Sequence, residues 1–148
     1  MVGLKGTTTE SRGYGIKAQA EVAVIHHVSV GTNDVARSKR FYDAVLPIVG
    51  ILPLAEDEGG LGYGSGTFHF SVQFPIDGKP ATVGNGTHIA FAVDDRSMVD
   101  RFYAAALKHG GSGDGAPGLR PNCDANYYGA FVRDPDGHKI EAVTYSAK

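Results

Sequence analysis

The alternation of hydrophobic and polar positions predicts a strand, a helix and then three shorter strands in the first half of the chain. Residues 22–30 are β-branched and almost continuously apolar, which is typical of a strand buried on both faces. Asn33 or Asp34 can cap the helix that follows, and Pro47 ends it because proline supplies no backbone N–H. The shorter strands are predicted at about 51–55, 60–65 and 67–74.

The same plan returns in the second half. The pattern predicts a strand at 87–93, a helix from about Arg96 to His109, and strands at 127–133 and 138–145. We expect the glycine-rich stretch 110–118 to be a flexible loop able to cover a pocket. The order of elements in the first half is β-α-β-β-β, and the repeated plan predicts the same order in the second half.

The two halves also share residues at equivalent positions, which indicates an internal duplication. The segment that begins at His27 returns 61 residues later at His88. We therefore predict an α+β fold of two tandem modules in one domain, residues 21–148, preceded by a polar N-terminal arm, residues 1–20. Module one covers about 22–75 and module two about 86–146. The matching segments are His27-Val28-Ser29-Val30 with His88-Ile89-Ala90-Phe91, and Arg40-Phe41-Tyr42 with Arg101-Phe102-Tyr103.

Charge and cysteine content narrow the range of partners and compartments. The net charge is −2 and no block of Lys or Arg is present, so neither nucleic acid nor a membrane surface is an expected partner. No run approaches the ~18 apolar residues of a transmembrane helix. The single cysteine, Cys123, excludes an intrachain disulfide, and the cytoplasm is the expected compartment.

Strand alternation brings the chemically useful side chains to one surface. Val28 and Val30 share the face expected beneath the first helix, so His27 lies on the opposite, concave surface. His88 takes the equivalent position in module two, and the carboxylate of Glu141 points to the same surface. A charged group there is costly unless it is paired or bound to a metal ion.

Two histidines and one carboxylate with open coordination positions suit a divalent ion. Fe, Mn, Zn, Ni and Co all accept this ligand set, and the sequence does not choose among them. Glu141 is both a metal ligand and a catalytic candidate. Tyr127 and Tyr128 begin a strand of the same surface, where one hydroxyl is placed to donate to a metal-bound oxyanion. Tyr128 is the catalytic candidate, and Tyr127 is the substrate-binding candidate.

Arg120 and Asn126 flank the same loop and are further substrate-binding candidates, suited to an anionic small molecule. The aromatic pairs Phe41-Tyr42 and Phe102-Tyr103 occupy equivalent places on two amphipathic helices. We expect these pairs to be core residues rather than a binding site.

These residues resemble the vicinal oxygen chelate superfamily, the group of glyoxalase I, bleomycin resistance proteins and extradiol dioxygenases. The resemblance covers residues 22–145 and implies modules that form a cupped mixed sheet within a homodimer. It also implies a divalent metal held by His27, His88 and Glu141. The matching segments are His27-Val28, residues 33–38, Phe41-Tyr42, residues 86–91 and residues 131–141.

One departure from the family bears on activity. Glyoxalase-type members carry a further ligand, normally Glu, on the last strand of module one, whereas residues 67–74 contain no acidic side chain. His69, Ser71 and Gln73 are the polar candidates there. If His69 binds, the site has three histidines and one glutamate; otherwise it has the three ligands expected of the dioxygenases.

Two classes of function follow. The first is a divalent-metal-dependent enzyme acting on a small molecule with two vicinal oxygens, as a glyoxalase-like lyase or isomerase or as an extradiol-type dioxygenase. The second is a non-catalytic protein of the same fold that binds a drug or metabolite, as bleomycin resistance proteins do. The presence of stoichiometric metal distinguishes the two.

Overall fold

A computed structural model describes residues 24–148 of the chain, so the predicted arm at 1–20 lies outside the described residues. No helix within the described part is long and apolar enough to cross a membrane. Module one contains β1 (Val28–Gly31), α1 (Val35–Val45), a 3₁₀ turn (Leu46–Val49), β2 (Leu52–Asp57), β3 (Gly60–Gly64) and β4 (Phe68–Gln73). Module two contains β5 (His88–Ala92), α2 (Arg96–Lys108), β6 (Ser112–Leu119), β7 (Tyr128–Arg133) and β8 (Lys139–Thr144).

Each module forms its own four-stranded mixed sheet. The strand orders are β1-β4-β3-β2 in module one and β5-β8-β7-β6 in module two. The first strand of each module pairs in parallel with the last, and the remaining pairs are antiparallel. The predicted α+β fold of two tandem modules is confirmed.

The helix boundaries follow the predicted capping residues. Asp34 caps α1 by accepting a hydrogen bond from the backbone N–H of Arg37, and Asp95 caps α2 in the same way through Met98. Pro47 lies in the first turn of the 3₁₀ segment, where its missing N–H costs nothing. The helical aromatics are core residues as predicted, with Phe41, Tyr42 and Phe102 fully buried and Tyr103 packed against them.

The first strand is shorter and more exposed than its apolar sequence indicates. The strand begins at Val28, and the preceding Val24 and Ile25 are 98 % and 70 % exposed. The prediction of a strand buried on both faces is therefore wrong for a single chain. Among the described strands, β1 lies at the edge of its sheet and pairs with β4 alone.

The glycine-rich stretch at 110–118 is a strand rather than a flexible loop. β6 pairs antiparallel with β7, with register shifts between Gly113 and Gly118. Two glycines of this stretch allow close contact. A Cβ on Gly111 would lie 2.6 Å from Phe41, and one on Gly113 would lie 2.4 Å from the hydroxyl of Tyr103. The glycines are thus needed for packing. Composition alone does not distinguish glycines that allow close packing from glycines that make a loop flexible.

The two modules meet through their helix-covered sides. α1 and the 3₁₀ turn both contact α2, and no strand of one sheet is hydrogen-bonded to a strand of the other. Phe70 of β4 and Phe91 of β5, which both point toward the helices, meet edge to face at 5.7 Å. Because these inner faces are turned toward each other, the opposite face of each sheet, here called its outer face, is turned outward.

A polar clamp fixes this arrangement. The carboxylate of Asp136, only 2 % exposed, accepts hydrogen bonds from Thr32 at 2.6 Å, the backbone N–H of Asn33 at 3.0 Å and Arg37 at 2.6 Å. Two further bonds cross between the modules: Tyr42 donates to Asp134 at 2.5 Å, and His138 Nε2 donates to the carbonyl of Gly31 at 2.6 Å. The turn before β8 is thereby tied to the junction of β1 and α1.

The clamp favours the charged form of Asp136. Burial by itself would raise the pKa of this carboxyl, but the donors Thr32 and Asn33 together with the Arg37 guanidinium outweigh it and hold the pKa below its ordinary value. A lowered pKa in the folded state stabilises the protein above the unfolded-state value of about 4, and this contribution is lost as the pH falls through the folded-state value.

We predict that Asp136→Asn lowers the free energy of unfolding by about 2–3 kcal/mol at pH 7, because an amide cannot accept all of these bonds at once. The difference from wild type should shrink below about pH 4. Urea unfolding at several pH values measures both effects. The exposed Asp94→Asn makes the same charge change as a control, and an equal loss in both variants would contradict a role for the clamp.

Candidate functional site

Module two brings two of the predicted ligands together on its outer face. In the parallel β5–β8 pair, Ala90 lies opposite Glu141, so His88 and Glu141 point to the side away from α2. The Nε2 atom of His88 is 3.2 Å from Oε2 of Glu141. The glutamate side chain is fully buried, whereas 46 % of the histidine side chain is exposed. Glu141 is therefore enclosed by its neighbours, and His88 is accessible from the surface.

The geometry of this pair fits a metal ion. Oε2 of Glu141 is buried and has no hydrogen-bond partner among residues 24–148, even with His88 nearby. Two ligand atoms bonded to one ion at about 2.0–2.2 Å lie roughly 2.9–3.5 Å apart in octahedral or tetrahedral geometry, which matches the observed separation. An unpaired buried carboxylate oxygen is otherwise costly, so a cation at this place would remove the penalty.

The other oxygen of Glu141 is already occupied. The hydroxyl of Tyr127 donates to Oε1 at 2.5 Å, and burial together with this hydrogen bond raises the pKa of Tyr127 well above its ordinary value. The phenol therefore stays protonated near neutral pH. Tyr127, the predicted substrate-binding residue, thus contacts Glu141, and its contact with a substrate stays a prediction.

An aromatic ring and two cations extend this surface. Phe131 lies opposite Glu141 in the β7–β8 register, with its ring centroid 6.0 Å from that of His88. The guanidinium carbon of Arg120 is 5.6 Å and Nζ of Lys139 is 4.8 Å from the centroid of Phe131. Arg120 is held by backbone carbonyls, and it has no carboxylate partner within the described part of the chain.

The outer face of module one carries His27 beside an open pocket of about 640 Å³. The imidazole of His27 packs on Phe68 at 4.7 Å between centroids, and its Nδ1 is 2.8 Å from Nδ1 of His26. The pocket is lined by module one alone, by residues that include His27, Ser29, Phe68, Ser71 and Gln73.

The internal duplication identifies the counterpart of Glu141 in module one. Ala90, two residues after His88, pairs with Glu141, and Ser29, two residues after His27, pairs with Ser71. Ser71 thus occupies the equivalent position, and its hydroxyl is hydrogen-bonded to that of Ser29 at 2.7 Å. Module one has a hydroxyl pair where module two has a carboxylate.

His69 is not brought to this place. Its Nε2 is 3.3 Å from the hydroxyl of Ser65 in the β3–β4 turn, and His69 does not line the pocket that contains His27. The arrangement favours the three-ligand alternative over a set with His69 as a fourth ligand. His69 remains a sequence-based candidate without a neighbouring ligand in the described residues.

The ligands of the two modules do not meet within one chain. Residues 24–148 contain no group of three or more His, Cys, Asp or Glu side chains arranged to hold a metal ion. His27 faces outward from module one, and His88 with Glu141 faces outward from module two, because the modules pack through their inner faces. The expected site, with all three ligands brought together in one chain, is therefore not found in the described residues.

Two other candidates lie away from the ligand pair. Tyr128 pairs with Thr144 and points to the inner face, where its hydroxyl donates to Asp100 of α2 at 2.7 Å. Strand alternation puts neighbouring residues on opposite faces, so Tyr128 cannot share the surface of Tyr127. The catalytic role expected of Tyr128 has no geometric support. Asn126 is exposed in a turn, where its backbone N–H donates to Asp124.

Sequence reasoning missed Phe131 and Gly129, which lie beside Glu141. A Cβ on Gly129 would be 2.8 Å from Oε1 of Glu141 and 3.2 Å from the ring of Tyr127, so glycine leaves the room that this hydrogen bond needs. Alternation alone places residues 127, 129 and 131 on one face. Their closeness to Glu141 required the β7–β8 register, which a single strand does not reveal.

The comparisons with known proteins agree with this arrangement. The family model of the Glyoxalase/Bleomycin resistance protein/Dioxygenase superfamily matches residues 24–142. The chain belongs to this superfamily. Metallothiol transferase FosB from Shouchella clausii is 29 % identical over 120 residues, which cover 81 % of this chain and 79 % of that relative. The expected family membership is confirmed.

Solved structures of the superfamily share the fold. A glyoxalase/bleomycin resistance protein from Albidiferax ferrireducens is 40 % identical, with a TM-score of 0.75 over 82 % of this chain and 98 % of the other. The fosfomycin resistance protein FosX from Mesorhizobium loti is 20 % identical, with a TM-score of 0.61 over 85 % of this chain and 95 % of its own. At 20 % identity, the similarity to FosX shows a shared fold alone.

We predict that Tyr128→Phe leaves metal content unchanged, because its hydroxyl binds Asp100 on the inner face. Loss of this exposed bond should lower the free energy of unfolding by about 0.5–1 kcal/mol. Metal analysis and urea unfolding measure the two quantities. If Tyr128→Phe loses its metal while its free energy of unfolding equals that of the wild type, the prediction is contradicted and Tyr128 belongs to the metal site.

Proposed function

We propose that this protein is a divalent-metal-dependent enzyme that acts on a small molecule with two vicinal oxygens. The observation that carries the proposal is the buried, unpaired Oε2 of Glu141 beside Nε2 of His88. His27, on the outer face of module one, is the third ligand. The name of the FosB relative, a metallothiol transferase, supports metal dependence within this branch of the superfamily.

The three ligands belong to one site only if a second copy of the chain takes part. Module one offers His27 beside an open pocket, and module two offers His88 and Glu141 on a separate outward surface. A two-fold dimer that places module one of each copy on module two of the other creates two equal sites. We therefore propose the homodimer as the unit that binds metal.

Exposed apolar side chains on module one support such an interface. Six of them are at least 45 % exposed in the isolated chain, and a second copy would remove them from water. They are Val24, Ile25, Leu52, Leu54, Phe74 and Ile76. Tyr145 is similarly exposed on module two, the proposed opposite side of the contact.

The bound ion would act as a Lewis acid that lowers the pKa of a bound hydroxyl and stabilises negative charge on the substrate oxygens. The protein residues set its surroundings. Glu141 supplies one negative charge and the histidines none, so a net positive centre remains for an anionic ligand. The open coordination positions and the adjacent pocket leave room for both substrate oxygens.

The charge around Phe131 supports a substrate that is itself anionic. Arg120 and Lys139 lie against that ring, and Asp114 is the nearby carboxylate that pairs with Lys139, at 3.3 Å. Arg133 pairs with the same Asp114 at 2.9 Å, which leaves Arg120 as the cation of this group without a carboxylate partner in the described residues. Arg120 is therefore the proposed contact for a negatively charged group that extends from the metal-binding oxygens.

The ligand set bears on the class of reaction. Ser71 occupies the module-one position equivalent to Glu141, so a fourth, acidic ligand is absent from that position. The proposal therefore favours a three-ligand site over the four-ligand site of glyoxalase-type members. Lyase or isomerase chemistry and ring-cleaving dioxygenation both remain within the proposed class, as does the thiol transfer named for the FosB relative.

A non-catalytic binding protein is the second candidate. The observation that favours it is the open pocket, which is lined by Phe68 and hydroxyl groups of module one alone. Such a pocket can hold a drug or metabolite by contact alone. The metal experiment below separates the candidates.

We predict that protein purified without a histidine tag binds one divalent ion per subunit, and that His27→Ala and His88→Ala each abolish this binding. Mixing the two variants after subunit exchange should restore about a quarter of the wild-type capacity, because half of the dimers are mixed and each of those holds one intact site. Metal analysis after gel filtration measures the capacity.

The controls identify which part of the proposal fails. His69→Ala should bind metal as wild type does. If the wild type binds metal and the mixture of the two variants binds none, each site lies within one chain. A wild-type protein that binds no added Zn²⁺, Mn²⁺, Fe²⁺, Co²⁺ or Ni²⁺ would instead favour the binding protein.

We also predict that Arg120→Gln weakens the binding of inorganic phosphate to the metal-free protein by about fivefold, the size expected for one partly exposed charge. The backbone amide resonances of Gly115 and Gly118 report the titration, since both residues lie against the guanidinium. Arg101→Gln on the exposed side of α2 is the matched control. Equal phosphate affinity in the two variants would contradict an anion site at Arg120.

A further inference from the structure

The two oxygens of Glu141 have different surroundings, although the carboxylate is chemically symmetric. Oε1 accepts a hydrogen bond from Tyr127, whereas Oε2 has no hydrogen bond within residues 24–148 and lies beside His88. A carboxylate with both oxygens open can bind one ion through either oxygen or through both. With one oxygen occupied, a single donor atom is left.

Tyr127 is itself held in place. Its ring packs edge to face on Tyr145, at 5.2 Å between centroids, and its backbone N–H bonds to the carbonyl of Asp124 at 3.2 Å. Gly129 leaves the space in which the phenol and Oε1 meet, since a side chain there would lie within 2.8 Å of Oε1. The Tyr127–Glu141 bond is therefore supported by the contact with Tyr145, and Gly129 leaves room for it.

We propose that Tyr127 is a positioning residue that restricts Glu141 to one donor atom and directs that atom, Oε2, toward His88. The inference rests on the proposed metal site and extends it to a residue that acts through the ligand Glu141. Ligands fixed in this way lose less conformational freedom on binding, and removal of such an outer hydrogen bond typically lowers metal affinity about 10- to 100-fold.

Neighbouring residues of the same strand supply a matched pair of variants. Tyr127→Phe and Tyr128→Phe each remove one phenol oxygen, and the first loses its bond to Glu141 while the second loses a bond to Asp100. We expect Tyr127→Phe to bind Zn²⁺ about 10- to 100-fold more weakly in competition with a chromophoric chelator. Tyr128→Phe should retain wild-type affinity. Equal affinities in the three proteins would overturn the inference.

A second readout does not depend on metal. In crystal structures of the metal-free proteins, Glu141 should keep its orientation in the wild type and in Tyr128→Phe, and should adopt a second orientation in Tyr127→Phe. An unchanged Glu141 in Tyr127→Phe would show that the strand alone positions it. If the wild type binds no metal, the proposed function fails, and these structures still decide whether Tyr127 orients the carboxylate.

Discussion

Burial of the Glu141 carboxylate constrains the chemistry of module two. Removing such a group from water costs several kcal/mol unless its oxygens are satisfied. Tyr127 satisfies one oxygen, and the other has no hydrogen-bond partner in the described part of the chain. The neighbouring strand supplies Nε2 of His88, which lies 3.2 Å from that oxygen. The proposed divalent ion, shared with His88, would offset this cost with the atoms already present.

The packing of the modules determines which chain would supply His27, the remaining ligand of the proposed site. Each sheet covers its inner face with a helix, and the meeting of Phe70 with Phe91 turns both inner faces toward the centre of the chain. The clamp at Asp136 then fixes the two sheets against rotation. His27 is directed outward by the same interaction that stabilises the core. Packing of the modules through their inner faces thus keeps His27 away from His88 and Glu141 within residues 24–148, and the proposed dimer would bring the three together.

Much of this architecture was predictable because it depends on local or repeated signals. The helices begin at Asp34 and Asp95, whose side chains cap them, and the duplication identifies His27 and His88 as equivalent. Alternation also placed Glu141 on the outer face. What the sequence did not reveal depends on contacts between distant strands. The β7–β8 register brings Phe131 beside Glu141, the glycines of β6 make close contacts rather than a loop, and the relative orientation of the modules separates ligands that share a strand position.

Divergence between the modules has a consequence for recognition. Ser71 and Ser29 form a neutral hydroxyl pair in module one, where module two has Glu141 opposite Ala90. In a two-fold dimer that joins unlike modules, every site receives one face of each kind. One wall then offers His27, Phe68 and hydroxyl groups, and the other offers a carboxylate, Phe131 and Arg120. Two identical faces would present the same groups on both sides of a ligand, whereas unlike faces can orient an asymmetric molecule with its anionic end toward module two.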